Sequence, residues 1–256
     1  MALTLSGFGV GALIGLTGVG GGSLMTPLLI FLFGIAPVIA VGTDLLFAAI
    51  TKVGGVWHHN RQRTIAWRIA VLLAAGSLPT AMVTISLLER FQAEGMRIDA
   101  LVTGVLGVAL VFTSLALLGK TTLQRLGEQI KAYVPGWRQW RGPATVLAGI
   151  ILGILVPVSS IGAGALGAGM LLFLYPSLPT VKIVGTDLAH AAPLAAVAGL
   201  GHLRLGSVDP ALLAALLIGS LPGIYLGSRM GAVIPERTMR TILASTLMLI
   251  GIKTIF

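Results

Sequence analysis

The segment Val41-Gly42-Thr43-Asp44-Leu45 returns as Val184-Gly185-Thr186-Asp187-Leu188, a spacing of 143 residues. The same spacing brings Gly76-Ser77-Leu78-Pro79 onto Gly219-Ser220-Leu221-Pro222, His59 onto His202 and Arg61 onto Arg204. With one insertion upstream, Val19-Gly20-Gly21-Gly22 lies opposite Ile161-Gly162-Ala163-Gly164. A constant spacing across separated matches is the signature of duplication, so the fold must be assembled from two copies of one unit. The copies run over residues 1–118 and 143–256, and a polar, basic linker over 119–142 joins them.

Each copy is a train of apolar stretches: 3–17, 23–34, 37–58, 66–88 and 98–118, then 143–158, 164–176, 180–201, 209–229 and 237–256. A helix needs about 20 residues to cross the hydrocarbon of a bilayer. The last three stretches of each copy have that length. The first two are short and meet at glycine clusters, which predicts broken or re-entrant helices there. Composition points the same way: 56% of residues are hydrophobic and 10% charged, and a mean hydropathy of +0.99 leaves too few polar residues to coat a surface in water. The expected fold is therefore all-α: a polytopic helical membrane protein of two repeats, about five segments each. With no cysteine, disulfides, thiolate metal sites and cysteine nucleophiles are excluded. The start, Met1 to Gly7, lacks a basic region and reads as a first membrane segment and not as a signal peptide.

Charge sets an orientation. The linker carries Lys120, Arg125, Lys131, Arg138 and Arg141 against Glu128. If it is cytoplasmic, all but Arg90, Arg97, Arg204 and Lys253 of the 17 lysines and arginines fall at or near the inner face, the bias expected of a plasma-membrane protein. This bias accounts for the net charge of +9 without nucleic acid. Five segments per copy is an odd number, so the copies are expected to sit upside down relative to each other, as in many secondary transporters.

Glycine breaks interrupt apolar helices in both copies. If helices begin near Ser23 and Ala165, their free N–H groups suit an anion, which makes Gly20, Gly21, Gly22, Ser23, Gly162 and Gly164 candidate substrate contacts, together with Thr43 and Thr186. Close packing through small residues is the alternative reading of the glycines. Asp44 and Asp187 fall inside apolar segments, where an unpaired carboxylate is costly. A proton, a polar cavity or a bound cation relieves that cost, so both are candidates for ion or proton coupling; capping a helix start is the competing role. His190 lies three residues after Asp187 on the same helix face, a titratable pair absent from the first copy, where Phe47 is its counterpart. A hydrogen-bonded core histidine is the plainer reading. Lys52, two turns after Asp44, either approaches the cavity or snorkels to the interface. His59, Arg61, His202 and Arg204 sit near segment ends as entrance residues or as interfacial anchors.

The Gly20-Gly21-Gly22 break followed by Pro27, the Gly42-Thr43-Asp44 motif, the turn at His59 and their second-copy counterparts resemble the sulfite exporter TauE/SafE family of membrane permeases over nearly the whole chain. The resemblance implies a multi-pass plasma-membrane protein that moves small anions, sulfite and organosulfur compounds among them. The expected function is thus a secondary transporter, an exporter of a small anion such as sulfite, an organosulfonate or a small carboxylate. It is expected to work by alternating access between the repeats and to be coupled to protons or a cation, with no catalytic site, cofactor or metal. A passive anion channel and an intramembrane aspartyl protease are the alternatives. Its expected partners are the small anion and membrane lipid, not nucleic acid, and the pattern is compatible with a homodimer.

Overall fold

A computed structural model of the chain describes residues 2–17, 22–96, 98–134, 136–162, 164–230 and 236–255. Every regular element among them is an α-helix: α1 (Ala2–Thr17), α2 (Gly22–Phe33), α3 (Pro37–Arg61), α4 (Trp67–Ala93), α5 (Ile98–Leu118), α6 (Lys120–Tyr133), α7 (Trp137–Ser159), α8 (Ala165–Leu174), α9 (Thr180–Arg204), α10 (Pro210–Met230) and α11 (Glu236–Ile255). Proline fixes where α3 and α9 begin: Pro37 is the first residue of α3 and Pro179 caps α9, positions where the missing N–H costs nothing. Six helices are long and apolar enough to cross a membrane: α3, α4, α5, α7, α9 and α10.

By contrast, α2 has 12 residues and α8 has 10. At 1.5 Å per residue these reach only about half of a ~30 Å hydrocarbon layer, as expected of broken helices. The first stretch of the second copy departs from expectation. Gly142 and Pro143 read as its boundary, yet α7 begins at Trp137 and spans 23 residues with Pro143 inside it. The linker is likewise folded. In α6, Gly127 packs against the backbone of Phe173, Gln124 Nε2 donates to the Pro176 carbonyl at 3.1 Å and Lys131 Nζ to Ser177 Oγ at 2.9 Å, so α6 is fastened to α8 and the turn after it.

The two copies are interleaved. The most extensive packing joins α1 to α10 and α4 to α7, while α3 packs on α9 and α5 on α11. Exchanging the copies maps each pairing onto the other or onto itself. Glycines explain the closeness. A methyl at Gly76 of α4 would strike the Val146 carbonyl oxygen in α7, one at Gly149 the Leu73 carbonyl and one at Gly153 the Ser77 carbonyl. Their counterparts Gly219, Gly7 and Gly11 meet Thr4, Leu216 and Ser220 in the α1/α10 pair in the same way. Backbone-to-backbone approach through small residues is how helices gain van der Waals contact in lipid, where burying apolar side chains brings no advantage.

The outside is apolar, and the largely apolar inside also holds polar groups. Leu5, Leu32, Val71, Met82, Ile218 and Leu249 are each more than 60% exposed, whereas Thr26, Thr43, Asp44, Ser77, Thr186 and His190 are fully buried. Buried polar groups inside an apolar exterior are the arrangement expected of a helical protein dissolved in lipid.

Candidate functional site

The repeated Gly-Thr-Asp motif divides its labour in the same way in both copies. Gly42 of α3 makes room for the turn before α10, since a methyl there would strike the Ser207 carbonyl oxygen, and Gly185 of α9 receives the Thr64 carbonyl and the His59 ring from the turn before α4. The threonines then hold those turns. Thr43 Oγ1 accepts the Asp209 N–H at 3.1 Å and Thr186 Oγ1 accepts the Ala66 N–H at 2.9 Å, each the amide at or next to the start of a helix in the other copy. Thr43 and Thr186, expected to contact substrate, are therefore buried fasteners between the copies. Only the acid of each motif is left to point inward.

Asp44 is fully buried. Its Oδ2 accepts two hydroxyl hydrogen bonds, from Thr26 of α2 at 2.5 Å and from Ser160 at 2.9 Å. Ser160 is the residue that ends α7, at a φ of 58° in the left-handed region. The other oxygen, Oδ1, is buried without a hydrogen-bond partner. Asp187, 3% exposed, has different neighbours. Its Oδ1 lies where a Cβ on Gly167 would be, beside the first turn of α8, and accepts no hydrogen bond. The positive end of α8, expected to receive a substrate anion, thus faces the chain's own carboxylate. Two amides of the break are also spent: Gly164 and Gly167 both donate to the Gly162 carbonyl at 3.0 and 2.9 Å. Gly162 and Gly164 instead have φ of 123° and 151°, conformations that glycine alone adopts readily.

Lys52 does not snorkel. It is 5% exposed and acts electrostatically on Asp44, Asp187 and His190, so α3 and α9 bring two acids, one lysine and one histidine into a single buried cluster. His190 bonds Ser77 of α4 through Nε2 at 2.8 Å, leaving Nδ1 without a partner. The residues unique to each copy, Lys52 and His190, are therefore both buried within electrostatic reach of each other.

The residues placed at segment ends separate into two kinds. His202 is no entrance residue: it is fully buried, and its Nε2 donates to the Pro157 carbonyl at 2.8 Å in the last turn of α7. His59 is half-buried and pairs with Thr64 Oγ1 at 2.7 Å. Arg61 stacks on Trp57 with its guanidinium carbon 4.4 Å from the ring centroid, an interfacial anchor, and Arg204 is exposed at the end of α9. Gly20 and Gly21 lie outside the described residues, Gly22 opens α2, and Ser23 follows in its first turn.

Beside this cluster, a cavity of about 280 Å³ opens between α5, α8, α9 and α11. His59, Lys120, Thr180 and Arg240 supply its polar groups, and none of the described residues lining it is acidic. Sequence reading passed over Lys120, Thr180 and Arg240, and also Thr26, Ser77 and Ser160. The available signals were slight: a lone threonine in the apolar α2, and Ser159-Ser160 following Pro157 just before the glycine break.

Six apolar spans around buried charged residues define a multi-pass membrane protein with a polar interior, the class to which solute carriers belong. The chain belongs to the sulfite exporter TauE/SafE family, whose sequence profile matches residues 3–254. It is 39% identical over 255 residues to "Probable membrane transporter protein YjnA" of Bacillus subtilis, covering 100% of this chain and 99% of that one. It is 25% identical to YdhB of the same organism with 100% of both chains covered. It is also 26% identical to MJ0441 of Methanocaldococcus jannaschii, covering 98% and 93%. Both are named as membrane transporter proteins too. No solved structure matches the chain. The protein is therefore a multi-pass membrane transporter of the cell membrane and not an enzyme, and the protease alternative falls away. Consistent with this, Asp44 bonds hydroxyls and Asp187 lies against α8, with no hydrogen bond between the two carboxylates.

Proposed function

We propose that this protein is a secondary transporter that exports a small anion, sulfite, an organosulfonate or a small carboxylate, by alternating access. The observation that carries this reading is the cavity between α5, α8, α9 and α11, whose polar groups are a histidine, a lysine, an arginine and a hydroxyl, with no acid among the described residues of its wall. At about 280 Å³ it falls just below the ~300–1,000 Å³ range of pockets that hold drug-sized ligands, a size suited to a small solute. Lys120 begins the linker helix, so the cavity belongs to the basic, cytoplasmic face in the orientation derived from charge, where an exported anion would enter.

The buried acids serve coupling. Asp44, Asp187 and His190, with Lys52 among them, form the polar cluster next to this vestibule, and a driving cation or proton bound there would change the charge that the anion meets. Because α1 packs with α10 and α7 with α4, the bodies that move relative to one another would be mixed sets of helices drawn from both copies.

The test is anion flux in proteoliposomes under an imposed pH or sodium gradient. Uphill accumulation is expected, which a passive channel cannot produce. A folded Asp44→Asn, Asp187→Asn double variant should lose the dependence on the gradient, and unchanged coupled flux in that variant would remove the acids from the mechanism.

A further inference from the structure

The two acids are not equivalent, although duplication made them so. Among the described residues the buried charged groups are Asp44, Asp187 and Lys52, two carboxylates against one ammonium. Lys52 acts on both acids. One negative charge in the interior thus lacks a full counter-charge, and such a charge in a medium of low dielectric is expensive unless another cation answers it.

The surroundings of Asp44 suit that cation. Thr26 Oγ1 and Ser160 Oγ stand 2.5 and 2.9 Å from Oδ2, so three oxygens gather at one point, and Oδ1 is buried with no hydrogen-bond partner. Ser160 is also the cap at the C-terminal end of α7, with no basic residue in that helix's last turn. A helix C-terminus carries partial negative charge that favours cations, and interrupted membrane helices use such ends to hold alkali ions. Carboxylate and hydroxyl oxygens are hard donors, suited to hard cations and not to soft metals.

The second copy shows what is missing without these groups. Under the alignment of the glycine breaks, the residues that would play the parts of Thr26 and Ser160 around Asp187 are Ala168 and Gly18, neither with a hydroxyl. Asp187 meets α8 through Gly167 instead. Among the described residues, hydroxyl oxygens gather at Asp44 and not at Asp187.

We infer that Asp44, Thr26 and Ser160 form a binding site for a small monovalent cation of the sodium class. This rests on the transporter reading for its purpose, since the cation would be the driving ion, but the site itself can be tested without transport.

Purified full-length protein is assayed for 22Na+ binding, and for unfolding temperature as NaCl replaces choline chloride at constant ionic strength. Saturable binding and a sodium-dependent rise in unfolding temperature are expected. Thr26→Val and Ser160→Gly, the latter chosen because glycine suits the left-handed backbone at 160, should each raise the half-saturating sodium concentration about tenfold. Equal stabilisation by choline, a response to pH alone, or sodium affinity unmoved by both hydroxyl variants would overturn the site. Anion flux measured in parallel separates the two readings. Sodium binding without anion transport keeps the site and ends the transporter reading, whereas flux driven by a pH gradient in sodium-free buffer, unaffected by added sodium, keeps the transporter and ends the site.

Discussion

The hydroxyl of Ser160 donates to Oδ2 of Asp44 across 2.9 Å, joining residues 116 positions apart. The bond ties the broken end of α7, in the second copy, to the intramembrane acid of the first. It also holds a non-glycine residue at a φ of 58°, a conformation that costs an L-residue roughly 1–2 kcal/mol.

Ser160→Ala and Ser160→Gly both lose this bond, worth about 1.5–3 kcal/mol when the acceptor is charged. Only glycine relieves the backbone. Thermal unfolding in detergent should therefore rank wild type above Ser160→Gly and Ser160→Gly above Ser160→Ala; an alanine variant as stable as the glycine variant would remove the strain argument.

The glycines between helices separate by position. Gly76→Ala and Gly219→Ala place a methyl against a carbonyl oxygen of the facing helix, an overpacking expected to cost about 1–3 kcal/mol each. Gly54 and Gly104 face open space, so alanine there should leave stability unchanged or raise it by up to roughly 1 kcal/mol. Similar unfolding temperatures for all four variants would contradict the assigned close approaches.

Gly167→Ala drives a methyl onto the carboxylate of Asp187 without disfavouring helix at that position. We expect the folded variant to lose about ten- to a hundredfold in initial anion flux, the scale of displacing a functional group by an ångström. Flux at the wild-type rate would show that the position of Asp187 against α8 does not matter.

His59 and His202 are counterparts that have diverged. His202→Ala empties a fully buried site and strands the Pro157 carbonyl, so it should destabilise by about 2–4 kcal/mol. His59→Ala, at a half-buried position that bonds only Thr64, should cost less than about 1.5 kcal/mol. Denaturation of the two variants side by side checks the order.

Lys120 and Arg240 line the vestibule proposed for the anion. Replacing both with glutamine should increase the KM for the anion several-fold with little change in kcat, and should weaken the rise of KM with ionic strength seen in wild type, as screening of attraction requires. A lowered kcat with KM unaltered would place these residues in the moving machinery and not in capture of the anion.

Several elements could be read directly. The lengths of α3, α4, α5, α9 and α10 follow from apolar runs, and the short helices α2 and α8 from the glycine clusters, because lipid leaves backbone groups no partners outside the helix. The start of α7 is hidden because glycine and proline at 142–143 look like a boundary, whereas a membrane helix tolerates an internal proline where neighbouring groups satisfy the freed carbonyl. The bonds of Thr43 and Thr186 to distant turns were not legible for a different reason. A hydroxyl next to a glycine looks the same in a sequence whether it meets a ligand or the amide of a distant turn.

Read alone, the amino-acid chain settled the solvent, the duplication and the two intramembrane acids, since these depend on local hydrophobicity and on comparing one stretch with another. Tertiary structure decided which acid has hydroxyl company, that Lys52 is buried, and that Lys120 and Arg240 share a cavity wall. Those facts depend on contacts between residues about 18 to 120 positions or more apart. Two copies that began alike acquire different chemistry only through what the interleaved packing sets beside each of them.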